Sequence, residues 1–269
     1  MCSVWVVMAG IRSAWALDSS FAGASPPGQL LGPPLTTVAV QFGGNWTDGN
    51  TSTYRVTLGT QVATRWKRNR IGVSLLSDNG RARPDTDGNG RLDVAERVAE
   101  PVATARRQAA ELRVDRYVAD TDSVYVLGGG FTDPFAGYDL RANVQAGRSR
   151  TFVRRDAATL LGEIGVDAAR EDVVPGVEPA VAWVFAVRAM VRGGVRFNPA
   201  VSADVQAEAL ENVASLGDLR VTGTAALTAR VSPAFDVRLS TQVLYDARPV
   251  AGFLPLDRVT LASVVANVR

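Results

Sequence analysis

The sequence has no histidine and a single cysteine, Cys2, among its 269 residues. Lacking histidine, it can build neither a Ser-His nor a Cys-His nucleophilic pair, and no histidine-ligated metal site. One cysteine permits no intrachain disulfide. Cys2 also lies in a segment expected to be removed, which suits an exported chain that does without disulfides. There is no run of 18 or more uncharged apolar residues, so a membrane-spanning helix is excluded. Charge of one sign is missing too: 29 Lys and Arg stand against 27 Asp and Glu, a net +2. The arginines alternate with apolar neighbours instead of forming a basic face, which excludes a nucleic-acid partner. Aromatics make up only 7%, so any girdle at a membrane interface would be sparse.

The chain is nonetheless built to fold, with 46% apolar and 21% charged residues. Residues 1–16, MCSVWVVMAGIRSAWA, are short and apolar and end in Ala14-Trp15-Ala16, the small-x-small pattern of a cleaved export signal. Residues 17–35 are rich in Pro, Gly and Ser and read as a flexible lead-in. From residue 36 to 269 the pattern is alternation. Tyr54, Val56, Leu58 and Val62 share one face, with Arg55, Thr57, Gly59 and Gln61 on the other. Phe235, Val237, Leu239, Val243 and Tyr245 oppose Asp236, Arg238, Ser240 and Gln242. Period two is the strand signature.

These runs extend over about 10–14 residues, where ordinary strands have about 5–6 and a tilted membrane strand needs about 9–11. A soluble sandwich also alternates, but its strands are shorter and its outward face is polar. The reading is an all-β fold, a transmembrane antiparallel up-and-down β-barrel of about 12 strands. The strands are expected at 36–46, 51–65, 70–78, 111–120, 124–132, 138–148, 156–170, 180–191, 195–210, 218–231, 234–246 and 257–268. An even number places both ends of the barrel on one side, as in single-chain bacterial barrels.

The connections then fall into two classes. On one side they are Trp66 to Asn69, Thr121 to Ser123, 149–155, Arg192 to Gly194, and Ser232-Pro233. On the other they are Thr47 to Asn50, 79–110, 133–137, 171–179, 211–217 and 247–256. Short turns face the periplasm and long loops the outside in outer-membrane barrels, which puts the 79–110 insertion outside the cell.

Several stretches resemble the salt-induced outer-membrane protein family, a group of barrels defined by a domain of unknown function. They are Gly49-Asn50-Thr51-Ser52-Thr53, Trp66-Lys67-Arg68, the segment Phe135-Ala136-Gly137-Tyr138-Asp139-Leu140-Arg141, and Tyr245-Asp246 with Pro249 and Gly252-Phe253. The resemblance covers residues 38–269 apart from the insertion at 80–110. It implies an outer-membrane barrel and carries no reaction and no substrate.

One motif is sharp. Asp85-Thr-Asp87-Gly-Asn89-Gly90-Arg91-Leu92-Asp93-Val-Ala-Glu96 fills each position of an EF-hand calcium loop. Asp85, Asp87 and Asn89 would supply side-chain oxygen, Arg91 its backbone carbonyl, Asp93 a direct or water-mediated contact, and Glu96 a bidentate carboxylate. Gly90 makes the turn and Leu92 packs inward. The alternative is an acidic, Gly-rich loop that matches by chance. A helical insertion is expected from Val94 to Leu112, interrupted at Pro101, with no entering helix before it. Half an EF-hand implies weak Ca2+ binding, about 10⁻⁴–10⁻³ M.

Other charges allow two readings. Arg148, Arg150, Arg154 and Arg155 form a solvated turn or touch anionic headgroups. Arg55, Arg113, Arg116, Arg141, Arg188, Arg220, Arg230 and Arg238, with Asp115, Glu163, Asp167, Asp204, Glu208 and Asp236, line an aqueous lumen or pair across strands. The function classes that remain are a non-enzymatic outer-membrane barrel with a structural or envelope-stress role and a calcium-binding surface loop, or a narrow channel for small polar solutes or ions. Barrel enzymes of the membrane rely on histidine, which is absent. The expected partner is outer-membrane lipid; the sequence identifies no protein partner.

Overall fold

The computed structural model describes residues 35–47, 52–87, 92–176, 181–249 and 254–268. The expected signal segment and all but the last residue of the lead-in lie outside the described residues. Twelve strands are found among the rest: β1 (Leu35–Thr47), β2 (Thr53–Trp66), β3 (Asn69–Ala82), β4 (Val102–Tyr117), β5 (Asp122–Asp133), β6 (Tyr138–Arg155), β7 (Ala158–Val173), β8 (Val181–Arg196), β9 (Val201–Asn212), β10 (Leu219–Arg230), β11 (Phe235–Asp246) and β12 (Leu256–Val268). Each pairs antiparallel with its sequence neighbours. Pairing between β1 and β12, from Val38↔Val268 to Gly43↔Ser263, closes the barrel. Closure removes the sheet edges, so every strand finds its backbone partners within the wall, as hydrocarbon demands.

The strands are 12 to 18 residues long, enough to cross the hydrocarbon layer at a tilt. Alternation sets what each face carries. On β8, Trp183, Phe185, Val187 and Val191 point out and are exposed, while Ala186, Arg188 and Met190 point in and are buried. The outside is thus an apolar band and the inside a polar, charged core. Eight outward-facing aromatics fall into two girdles. Tyr54, Trp183, Phe185 and Tyr245 sit toward one rim, and Trp66, Phe152, Phe197 and Phe235 toward the other, all exposed. This is the interfacial placement that amphipathic rings favour.

The connections sort as expected. On the rim where β1 begins they are 67–68, 118–121, 156–157, 197–200 and 231–234. On the opposite rim they are 48–52, 83–101, 134–137, 174–180, 213–218 and 247–255. Short turns face the periplasm and long loops the outside in outer-membrane barrels, and the two rims are named by that rule.

Five strand boundaries differ by four residues or more from those expected: the ends of β3, β6 and β8 and the starts of β4 and β9. The segment after Pro101 is strand from Val102, so the helix expected to Leu112 shrinks to α1, Val94–Val98. Its Ala, Arg, Gln and Glu favour helix in isolation, but pairing with β3 from Asn69↔Arg116 to Ala82↔Val102 overrides that preference. The arginine-rich stretch read as a turn at 149–155 is instead the end of β6, which bulges between Thr151 and Val153. Gly193 and Gly194 stay inside β8, and the turn comes at residues 197–200. There the Asn198 side chain accepts from the backbone N–H groups of Ala200 and Val201. Finally, β3 runs on to Ala82.

Candidate functional site

The external loop between β3 and β4 is organised around Glu96. Asp93 caps α1: its Oδ1 accepts from the Glu96 N–H at 2.8 Å, and Glu96 Oε2 accepts from the Asp93 N–H at 3.0 Å. This reciprocal capping box satisfies donors that a short helix otherwise leaves open. Glu96 Oε1 accepts from the Thr86 N–H at 2.6 Å and the Thr86 hydroxyl at 2.7 Å. The two ends of the motif are therefore tied through one carboxylate. Leu92 is buried, and its carbonyl accepts from Arg97 Nε.

One carboxylate oxygen from each of Asp85, Asp87 and Glu96 lies within 4.8 Å of the other two, with the two aspartates exposed and Glu96 buried. Oxygens around a calcium ion, at a radius of about 2.3–2.6 Å, are at most about 5 Å apart, so this spread fits one ion. Three anionic groups this close repel one another unless a cation or donors offset them. The N–H of Asp93, then the hydroxyl and N–H of Thr86, hold the Glu96 carboxyl below the usual carboxylate range. Asp93 is not in the cluster; one of its oxygens is committed to the cap. Asn89 and Arg91 fall outside the described residues.

The barrel interior is the second candidate. Its charges pair, and several pairs skip strands. Arg113 of β4 reaches Glu163 of β7 at 2.6 Å, and Arg188 of β8 reaches the same carboxylate at 2.7 Å. Arg113 also holds Asp115 at 2.8 Å, and Arg188 holds Glu208 at 2.6 Å. Nearer the external rim, Arg141 binds Glu171 at 2.9 Å, and Arg220 of β10 pairs with that same Glu171 of β7. Toward the periplasm, Arg238 of β11 meets Asp204 of β9 at 3.1 Å. Arg55 pairs with Asp78, and Arg107 with Asp133 at 3.5 Å beneath the Phe131 ring. The β4–β7, β7–β10 and β9–β11 ties are chords across the lumen.

Of the two readings of the interior charges, pairing is what the structure shows. Arg116 leaves the set: it faces outward and donates to Asn69 Oδ1. Arg230 and Asp236 pair at 3.3 Å. Arg148 pairs with Asp122 at 2.6 Å, and Arg154 donates to the Asp120 carbonyl. Both thus brace the turn between β4 and β5. The role of Tyr125, which lies under Arg113 at 4.3 Å, was not visible in the sequence. Below the Arg238–Asp204 tie a recess of about 780 Å3 faces the periplasmic rim, bordered by Arg192, Arg230 and Asp236.

The family model described as "Protein of unknown function, DUF481" matches residues 40–268. No curated protein matches the sequence. Among solved structures the chain is similar to the NanC porin, at 12% identity and a TM-score of 0.53, over 86% of this chain and 100% of that one. It is also similar to the COG4313 outer membrane channel from Pseudomonas putida F1, at 10% identity and a TM-score of 0.48, over 88% of this chain and 97% of that one. The first of these likenesses supports the fold: an outer-membrane β-barrel.

Proposed function

The chain belongs to the DUF481 family, whose description assigns no activity, and from its geometry we propose a non-enzymatic outer-membrane barrel that binds calcium at its external β3–β4 loop. The convergence of Asp85, Asp87 and Glu96 carries this reading. Asn89, the Arg91 carbonyl and Asp93 complete the ligand set that the motif specifies. In this reading the wall gives a closed support, and the ion orders the loop that stands on it. The structural or envelope-stress role belongs to the same proposal, and salt screens the charges of an exposed acidic loop.

Isothermal titration of the refolded protein tests it. Wild type is expected to bind one calcium ion per chain, with a Kd of about 10⁻⁴–10⁻³ M. Asp85→Ala and Glu96→Gln each abolish the heat, and Glu96→Gln still leaves a side chain that caps α1. Equal heats from all three proteins would remove the site.

A narrow channel for small polar solutes or ions is the second reading, favoured by the recess at the periplasmic rim. The lumen chords oppose it. Repeated planar-bilayer recordings of inserted protein separate the two, since a crossed lumen predicts no steady conductance.

A further inference from the structure

We propose that the outer face of β2–β6, near the external rim, binds a phosphorylated, acylated glycolipid of the outer leaflet, with an acyl chain in a wall groove and phosphate on Arg81 and Arg106. Successive rows of side chains on this face point into the membrane. Strand register places Thr60, Leu75, Ala110, Gly130 and Ala142 side by side across five strands. Three of these five are Ala or Gly, so the wall is scooped out between the flanking Leu58, Leu75 and Leu140. The result is a groove of about 410 Å3. Its size is that of a small ligand site, and its lining is mostly apolar.

One row nearer the outside the chemistry changes. Leu58, Ser77, Gln108 and Thr132 are in register. Ser77 Oγ accepts from Gln108 Nε2 and Asn79 Nδ2, each at 3.0 Å. This polar sill lies where hydrocarbon gives way to headgroups. On β4 the outward residues from Gln108 to Arg116 bracket Ala110, Leu112 and Val114, and those eight steps at a tilt near 40° span roughly 20 Å, close to the ~25 Å apolar band of such barrels.

Beyond the sill stand two exposed arginines. Arg106 is in register with Asn79, and Arg81 follows on β3 opposite Tyr54. An arginine presents a planar fork that matches phosphate oxygens. An apolar groove, a hydrogen-bonding sill and a cationic rim thus follow one another in the order of tail, sugar and phosphate in a phosphorylated glycolipid. A phospholipid such as phosphatidylglycerol shares the tail and the phosphate but lacks the sugar that the sill addresses.

The test uses refolded protein in nonionic detergent with EDTA present, titrated with hexa-acyl lipid A and read by native mass spectrometry. EDTA makes the result independent of the calcium reading. Wild type is expected to retain one lipid A per chain. Arg81→Glu with Arg106→Glu weakens retention by about tenfold or more. So does Ala110→Trp, which fills the groove from an exposed position on the outer wall. Both variants are checked as folded by heat-modifiable gel mobility. On wild type alone, dephosphorylated lipid A and phosphatidylglycerol each compete at least about tenfold less well. Equal competition by either lipid, equal retention by the folded arginine variant, or a lipid-free dimer seated on this face would overturn the proposal.

Discussion

The hydroxyl of Tyr125 on β5 accepts a 2.7 Å hydrogen bond from Arg188 on β8, three strands away. The phenol reaches that far because it lies flat over two glycines in register with it, Gly147 on β6 and Gly165 on β7. A Cβ at Gly147 would sit 2.7 Å from the Tyr125 hydroxyl and 2.3 Å from the Ile164 carbonyl oxygen. The side chain thus stacks under Arg113 and hands Arg188 on toward Glu163 and Glu208.

Two substitutions are expected to rank by mechanism. Tyr125→Phe removes one acceptor while Arg188 keeps two carboxylates, a loss of about 1 kcal/mol. Gly147→Ala forces the backbone of β7 to shift and costs more, about 1–3 kcal/mol. Adding Tyr125→Ala does not rescue it, because the Ile164 oxygen remains in the way. Urea titration of protein refolded into vesicles checks the order.

Glu163 is the keystone of the central tie. Glu163→Gln leaves Arg113 and Arg188 facing each other without their shared anion, and breaking a buried pair in this way costs about 3–5 kcal/mol. The side chains involved are 2% exposed for Glu163 and 5% for Arg188. Removing both ends of the chord, with Arg113→Ala and Glu163→Ala together, avoids the stranded charge and opens the lumen. That double variant is expected to be more stable than Glu163→Gln and to conduct in planar bilayers where wild type is silent. Silence from a folded double variant would show that the chord is not what closes the barrel.

The Glu96 carboxyl, held below its usual range by the Asp93 and Thr86 donors, gives the loop a pH signature. A depressed folded-state pKa stabilises fully above the unfolded carboxylate range, and the contribution is lost as pH falls through the lowered value. Without calcium, hydrogen exchange at the Thr86 and Asp93 amides is expected to stay slow through the ordinary carboxylate range and to quicken only as pH falls below it. In Glu96→Gln the same amides show no such pH step, after correction for intrinsic exchange.

Much of the wall was legible because the membrane imposes a simple code. An apolar outward face and strands of double the ordinary length distinguish β2 or β11 without any tertiary knowledge. The sorting of short and long connections onto opposite rims was legible too. The misses came where local preference and global pairing disagree. Ala103 to Glu111 looks helical until β3 demands a partner as long as itself. Gly193-Gly194 looks like a turn, whereas Asn198-Pro199 carried the better turn signal. The interior was the least legible part. Which arginine meets which carboxylate depends on how far a side chain reaches across the lumen, as Arg113 does to Glu163, and strand periodicity has no record of that. The convergence of Asp85, Asp87 and Glu96 was legible as spacing, but the hold of Thr86 and Asp93 on Glu96 was not.

Trypsin digestion of intact cells expressing the protein, in calcium or in EDTA, tests the central claim most directly. Arg97 and its neighbours then report both where the β3–β4 loop lies and whether calcium orders it. Cleavage within residues 83–101 is expected in EDTA, with marked slowing by calcium for wild type and no slowing for Glu96→Gln. Cleavage at the same rate with and without calcium in wild type, or a loop that trypsin reaches only after the cells are broken, would contradict it.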